Sequence, residues 1–304
     1  MEWHAPWDIR IALDLFLGGL GVGVFIISVL LNVSDKERNS KISLMGSYLA
    51  PLLVGGGVLF LLSELGRPER FLSTLYNFNP QSVTSWGGLF QIGFMIIALV
   101  YAWQNFKGKT NDSTFRTLQG LGLLFAILIG VYHGLLLASL GRPLWGGGMI
   151  IALFLGSSLF GGIALLVILK ELGISIGVPA QVRSETAATS SNKGFNFTVL
   201  FFIISAVELV LVLGWQFALY RSGTDTLAAV NSMMESFGGL WVGLVIIAGL
   251  LIPLLGSLFA IIKDKNSEMS KGLAIILSAL VIVGSYTFKH IVIIAGQGTL
   301  PLIF

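Results

Sequence analysis

The sequence contains no cysteine, and that absence excludes both disulfide bonds and iron–sulfur clusters bound by this chain. The 304-residue chain has no disulfide framework, and it has no thiolates with which to hold an iron–sulfur cluster of its own. Charge is also scarce, at 11% of the residues against 55% that are hydrophobic. With a mean hydropathy of +0.89, this composition is typical of a polytopic membrane protein and not of a soluble domain. The net charge of +3 is too small to indicate nucleic-acid binding.

Histidine is the third scarce residue, and its number limits haem binding. Two haems held by pairs of histidines need four ligands, and the chain has only three, His4, His133 and His290. We expect no haem. The depths of His133 and His290 leave a single haem as an alternative, which a visible spectrum would reveal.

Eight apolar stretches are each about 20 residues or longer, the length at which a helix crosses a hydrocarbon core roughly 30 Å thick. They cover approximately 9–32, 42–65, 86–106, 118–140, 148–169, 197–219, 240–262 and 273–295. Because backbone groups in lipid must be hydrogen-bonded within the protein, we expect each stretch to be a helix. The sequence therefore predicts an all-α polytopic membrane protein with eight transmembrane helices, surrounded by membrane lipid.

A short internal repeat suggests how the eight helices are grouped. The first helix reads LFLGG at 15–19, and the fifth reads LFLGS at 153–157. We interpret the chain as two four-helix bundles, residues 1–147 and residues 148–304.

The basic residues predict the orientation. Of the 18 lysines and arginines, 12 lie in the loops after the first, third, fifth and seventh helices. The positive-inside rule places such loops in the cytoplasm. We therefore expect a multi-pass protein of the cytoplasmic (inner) membrane, with both termini on the non-cytoplasmic side.

A motif occurs twice on the predicted outer side, each time directly after an apolar helix. LGRP stands at 65–68, after Glu64, and again at 140–143, where it continues as LWGGG. The loop after the first copy ends at Trp86. We interpret these two corners as shaping one end of a membrane-embedded pocket. Their arginines have a simpler alternative role, which is to cap the last carbonyls of helices.

Ionisable side chains inside a membrane are costly, so each is a candidate functional residue. Asp14, Glu64 and His133, with its neighbour Tyr132, are predicted to lie at similar depth near the outer face and to form a protonatable pocket. Each has a structural alternative. Glu64 would be an interfacial acid paired with Arg67, Asp14 a helix-start acid, and His133 a packed, hydrogen-bonded histidine.

Two further charges lie deeper. Glu208 is near the midplane of the sixth helix, and Lys289 lies a turn or two closer to the outer face in the eighth. They are predicted to form either a charge pair, direct or through water, or a proton path in the second bundle. On the residues alone, an ion or proton transporter without redox chemistry remains the rival of a redox function.

Five segments, in order, resemble the NrfD-type family, which includes the membrane subunit of polysulfide reductase. They are DLFLGGLGVG (14–23), ELGRPERF (64–71) with NPQSVTSWG (79–87), VYHGLLLASLGRPLW (131–145), GLLIPLL (249–255) and KHIVIIAGQ (289–297). The resemblance implies a membrane subunit of a respiratory oxidoreductase complex that binds a quinone or quinol near the outer face. It also implies partners on that face, an iron–sulfur ferredoxin-like subunit and a catalytic subunit containing molybdopterin.

Carried over by motif, Glu64 and Tyr132 resemble members of the family's quinone pocket. Asp14 and His133 are their neighbours, and the pocket would extend to Gly18, Arg67 and Trp86. Lys289 departs from the family's arginine, so a titratable amine replaces a fixed guanidinium there.

Quinone reduction needs two electrons and two protons, so the pocket needs a hydrogen-bond donor and a proton carrier. Tyr132 or His133 is the expected donor, and Glu64 or Asp14 the expected carrier. We expect menaquinone in preference to ubiquinone. Because the chain has no cysteine ligands, the electrons must come from a partner.

Overall fold

The computed structural model describes residues 7–34, 40–64, 76–108, 113–174, 196–263 and 269–298. Within these ranges, the chain forms eight long helices. They are α1 (Ile9–Ser34), α2 (Ser40–Glu64), α3 (Val83–Phe106), α4 (Ser113–Ala138), α5 (Met149–Glu171), α6 (Phe197–Arg221), α7 (Thr224–Lys263) and α8 (Lys271–Gly296). Each is long and apolar enough to span a membrane. The predicted all-α, eight-span membrane protein is confirmed.

Three polar contacts identify which helix ends lie together. Arg10, at the start of α1, forms an ion pair with Glu64, at the end of α2. Arg142, in the second LGRP corner, donates to the Gln297 carbonyl at the end of α8. Gln297 donates in turn to the carbonyl of Trp7. We call this end of the molecule the corner end, because the second LGRP corner lies there.

Helices α1 and α5 form the centre of the molecule. Within the apolar 18-residue segment of each helix, 78% of α1 and 67% of α5 is buried inside the protein, compared with 33% of α3 and of α6. The two helices touch backbone to backbone, because a Cβ atom at Gly23 would overlap the Ser158 carbonyl and one at Gly162 would overlap Gly23. Close packing therefore explains these glycines. Helix α5 also contacts α4, α6 and α8, so it joins elements of both predicted bundles.

Helix α7 differs from its prediction, because it begins at Thr224 and not near residue 240. Its first part, Thr224–Leu240, buries Val230 and Met233 on one face and leaves polar residues exposed on the other. This polar face lowers the mean hydropathy of the segment, so the segment does not stand out as an apolar run in the sequence.

The middle of α7, Trp241–Leu251, is π-helical, which the sequence analysis also missed. The amide of Ile252 donates to Ile247, five residues earlier, as a π-helix requires. Pro253 follows directly and has no amide hydrogen for the carbonyl one turn back. The α-helical hydrogen-bond register is therefore interrupted at the end of this stretch.

The second LGRP corner holds the end of α8. Trp145 follows the corner, and its Nε1 donates to the Val292 carbonyl at 2.8 Å. The indole lies against Gly296, where no Cβ would fit, and stacks on Trp7 with ring centroids 5.7 Å apart. Arg142 caps α8, which confirms the capping alternative for this arginine. The first corner, with Arg67, lies outside the described residues.

Candidate functional site

A cluster of buried polar side chains lies among the first four helices. Asp14 from α1 and Tyr132 and His133 from α4 are at most 6% exposed. Three of their atoms have no hydrogen-bond partner among the described residues: Asp14 Oδ1 and both ring nitrogens of His133. Most buried polar atoms in proteins are hydrogen-bonded, so three unpartnered atoms in one place indicate a site for a polar ligand or water.

Glycines on three helices make room for these side chains. A Cβ atom at Gly18 of α1 would lie 3.0 Å from Cε1 of His133, and one at Gly57 of α2 would lie 3.0 Å from Oδ1 of Asp14. At Gly87 of α3, a Cβ atom would overlap the Tyr132 ring. The absence of side chains at these positions lets three polar groups approach the helix backbones. The predicted pocket residue Gly18 is thus in contact with His133.

Glu64 lies on the same α1–α2 seam, nearer the corner end. Gly57 packs on Asp14, and Glu64 follows it by two helical turns, about 10 Å along the axis. The Glu64 carboxylate pairs with Arg10, whose Nη1 also donates to the Ser63 carbonyl at 2.6 Å. The ion pair predicted as an alternative, with Arg67, involves a residue outside the described ranges.

Asp8 completes this arrangement at the corner end. Its carboxylate accepts from the Arg10 amide at 2.7 Å and pairs with Arg10 Nε at 2.8 Å. The hydrogen bond from the Arg10 amide lowers the pKa of this exposed carboxyl. Arg10 therefore lies between two carboxylates, Asp8 and Glu64. Arg10 was not among the predicted site residues, and no spacing in the sequence links it to Glu64.

Trp86 stands at the edge of the site. It is 40% exposed at the start of α3, its Nε1 donates to the Pro80 carbonyl at 3.0 Å, and its ring packs against Phe78 and Phe90. Its neighbour Gly87 touches Tyr132. The assignment of Trp86 to the quinone pocket stays a prediction.

A second buried polar cluster lies in the C-terminal half of the sequence, on α6 and α8. Glu208 of α6 and Lys289 of α8 are 3% and 1% exposed, and they interact electrostatically without an ion pair within 4 Å among the described residues. Glu208 Oε2 lies against Gly156, and the described part of the chain offers it no hydrogen-bond partner. The structure therefore shows no direct ion pair between Glu208 and Lys289. Of the predicted alternatives, a pair linked through water and a proton path remain.

Lys289 lies between the two clusters. A Cβ atom at Gly19 of α1 would lie 2.6 Å from its Nζ, and that nitrogen lies 5.8 Å from the ring centroid of Phe16. Gly18, the next residue, contacts His133, and the lysine also acts electrostatically on that histidine. The Lys289 amine thus lies close to the first cluster, while its electrostatic partner Glu208 belongs to the second.

The structure adds two serines that the sequence analysis did not select. Ser157 of α5 and Ser285 of α8 are hydrogen-bonded through their hydroxyls at 2.8 Å. Both border the same cavity as Glu208. Serine is common in membrane helices and carries no charge, so nothing in the sequence distinguished these two from the others.

Comparison with known proteins supplies relatives over the full length. The chain is 26% identical to the C subunit of polysulfide reductase from Wolinella succinogenes, over 97% of this chain and 94% of that protein. It is 25% identical to the NrfD homolog of Haemophilus influenzae, over 98% of both. A shorter match, also 25% identical, covers 41% of this chain and 31% of the Hdr-like menaquinol oxidoreductase integral membrane subunit of Archaeoglobus fulgidus.

A family model has the same extent. The model described as polysulphide reductase, NrfD matches residues 1–301, which is nearly the whole chain with all eight helices. The protein therefore belongs to the NrfD polysulphide reductase family.

Proposed function

We propose that this protein is the membrane subunit of a respiratory oxidoreductase complex, and that it binds a quinone or quinol beside Asp14, Tyr132 and His133. The observation that carries the proposal is the set of unpartnered polar atoms on Asp14 and His133, buried next to the Tyr132 ring and enclosed by glycine backbones of the described helices. Three relatives are named as polysulfide reductase, selenate reductase and menaquinol oxidoreductase subunits, which supports the assignment.

The donor set suits a quinone head group. Such a ligand has two carbonyl oxygens and takes up two electrons and two protons when it is reduced. The Tyr132 hydroxyl and a His133 N–H can each donate to a carbonyl oxygen, and the Asp14 carboxyl can deliver or accept a proton. Asp14 and Tyr132 are close enough to interact electrostatically. The name of the Archaeoglobus relative favours menaquinone over ubiquinone.

Glu64 is assigned to proton exchange with the outside. It lies about 10 Å nearer the corner end than Asp14, on the same seam, and is only 13% exposed. Arg10 holds it in place between the buried cluster and Asp8. In this arrangement, protons pass between the cluster and the outside through Glu64. The predicted members Gly18 and Trp86 would line the pocket, and Arg67 stays a prediction outside the described residues.

The electrons are exchanged with another subunit. The chain has no cysteine with which to ligate an iron–sulfur cluster. We assign the corner end to the non-cytoplasmic side of the inner membrane, because the basic loops are at the other end. An iron–sulfur partner would dock there, together with a catalytic subunit containing molybdopterin.

A second function, proton transfer, is proposed for Glu208 and Lys289. Both are buried near the middle of the molecule and interact without direct contact. If they carry protons, quinone chemistry in one half is linked to charge movement in the other. The transporter alternative would retain this path and lack the quinone site.

The test is a fluorescence titration of the purified complex with a hydroxyquinoline N-oxide, a quinol analogue. We expect saturable binding that Tyr132→Phe and Asp14→Asn each weaken about tenfold, equivalent to about 1.4 kcal/mol. Glu64→Gln should weaken it less, since Glu64 lies about 10 Å from the cluster. Tyr101→Phe is the matched control, since Tyr101 is equally buried in α3 and bonds to Gln119 elsewhere. Folded wild-type protein that shows no saturable binding would favour the transporter.

A further inference from the structure

A small cavity lies beside Glu208 in the second half of the molecule. Its lining comes from α5, α6, α7 and α8, and its polar groups are Glu208, Ser157 and Ser285. The volume open to the centre of a water molecule is about 20 Å³. One water molecule needs about 10–15 Å³ by this measure, so the cavity has room for one.

The polar groups around the cavity are of the kind that bind a water molecule. Glu208 Oε2 is buried and has no hydrogen-bond partner within the described ranges. The hydroxyls of Ser157 and Ser285 meet at 2.8 Å, and either of them can be the donor. A water molecule makes two to four hydrogen bonds with such groups. The remaining lining is apolar, with Phe160 and Phe288 among it.

Contacts on α5 and a spacing on α8 relate these groups to Lys289. Glu208 lies against Gly156, the residue before Ser157, so the carboxyl and the first hydroxyl meet the same turn of α5. Ser285 and Lys289 are four residues apart on α8 and therefore share a face of that helix. Lys289 Nζ and Ser158 Oγ both lie against Gly19 of α1, so the amine reaches α5 at the residue after Ser157.

The lining favours water over a metal ion. Mg²⁺ and Ca²⁺ take six or more oxygen ligands, whereas this cavity offers one carboxyl group and two hydroxyls.

We propose that the cavity binds one water molecule, and that this water with Ser157 and Ser285 passes protons between Glu208 and Lys289. The inference rests on the proton path proposed above and names its intermediate groups. It is independent of the quinone site in the first half.

The transfer is balanced in atoms and charge. An O–H bond breaks at the Glu208 carboxyl, and the water and hydroxyls each accept one proton and release another. An N–H bond forms at the Lys289 amine. The acid becomes a carboxylate and the amine an ammonium ion, so the total charge stays zero. The new ammonium lies against Gly19, next to the residue that contacts His133.

The test is hydrogen–deuterium exchange of the Glu208 carboxyl, followed by infrared spectroscopy of the purified complex. Glu208→Gln identifies the carboxylic acid band as the one that disappears. We expect this band to shift within the first spectrum after transfer of wild type to deuterated buffer. In the double variant S157A/S285A, we expect exchange to be at least tenfold slower. Each single variant should slow it severalfold and provides the answer if the double variant does not fold.

Ser278→Ala is the control, because Ser278 is a buried serine on α8 that does not border the cavity. It should exchange at the wild-type rate. Two results would overturn the proposal: no band lost in Glu208→Gln, or wild-type exchange in folded serine variants. Titration of the same samples with the quinol analogue separates this outcome from failure of the quinone site, since the serine variants should bind it normally.

Discussion

The two halves of this protein bury similar groups in different surroundings. Each half buries an acid and a nitrogen base, Asp14 and His133 in one and Glu208 and Lys289 in the other. In the first half, glycine backbones and the Tyr132 ring enclose polar atoms that have no partner among the described residues. In the second, the acid borders a cavity large enough for one water molecule. We infer that the first cluster is suited to binding an organic ligand and the second to transferring protons.

The difference follows from the packing of α1 and α5. Gly19 and Gly23 lie on one face of α1, against the amine of Lys289 and the backbone of α5. Gly18, about 100° around the helix from Gly19, lies against the imidazole of His133. The two clusters are therefore separated by little more than a helix backbone. Lys289 lies against Gly19, the neighbour of the residue that contacts His133, so it approaches the first cluster from the second.

The largest effect should come from disrupting the backbone contact between α1 and α5. Gly23→Ala would place a Cβ atom on the Ser158 carbonyl of α5, and backbone cannot move aside as a flexible side chain can. We expect a loss of on the order of 3 kcal/mol in unfolding free energy, because overpacking of this kind displaces a helix. Thermal unfolding in detergent measures it, and both clusters should be lost together.

Gly120→Ala in α4 is the control for that experiment. A Cβ atom there meets nothing within 4 Å, so this variant should be as stable as wild type or slightly more stable. Equal melting temperatures for Gly23→Ala and Gly120→Ala would show that the close contact of α1 with α5 is not needed to join the halves.

A smaller effect should separate the roles of the two acids. Glu208→Gln should leave quinol-analogue affinity within about twofold of wild type, while Asp14→Asn should lower it about tenfold, or about 1.4 kcal/mol. The physical reason is that only Asp14 lies beside Tyr132 and His133. Titration of both variants under one condition makes the comparison. An equal loss in both would mean that the halves do not have separate roles.

The sequence predicted the parts of the fold that depend on contact with lipid. Eight apolar runs correspond to eight helices, because hydropathy reports which segments suit a membrane. It could not predict Thr224–Leu240, whose exposed face is polar, or the π-helical turn that precedes Pro253. The position of such segments depends on packing against other helices, which no local pattern records.

The candidate site was predictable in its residue types but not in its pairings. Asp14 and His133 were selected because ionisable groups inside a membrane are rare, and Tyr132 because of the family motif. The structure buries all three, with the rings of Tyr132 and His133 5.9 Å apart. The partner of Glu64 was missed, because Arg10 is 54 positions away and outside any motif. The serine pair was missed because its members are 128 residues apart and uncharged.

The smallest predicted effect concerns Asp8, the exposed acid at the corner end. Asp8→Asn should leave quinol-analogue affinity unchanged and lower the melting temperature only slightly, since exposed ion pairs contribute little.

The pKa of Asp8 is lowered in the folded protein, mainly by the Arg10 amide. Its stabilising effect is therefore present above the ordinary value of 3.8 and is lost as the pH falls through the lowered pKa. Melting curves of wild type and Asp8→Asn should differ at neutral pH and converge in acid. A difference that persists or grows in acid would mean that the Asp8 side chain stabilises the corner end without its charge.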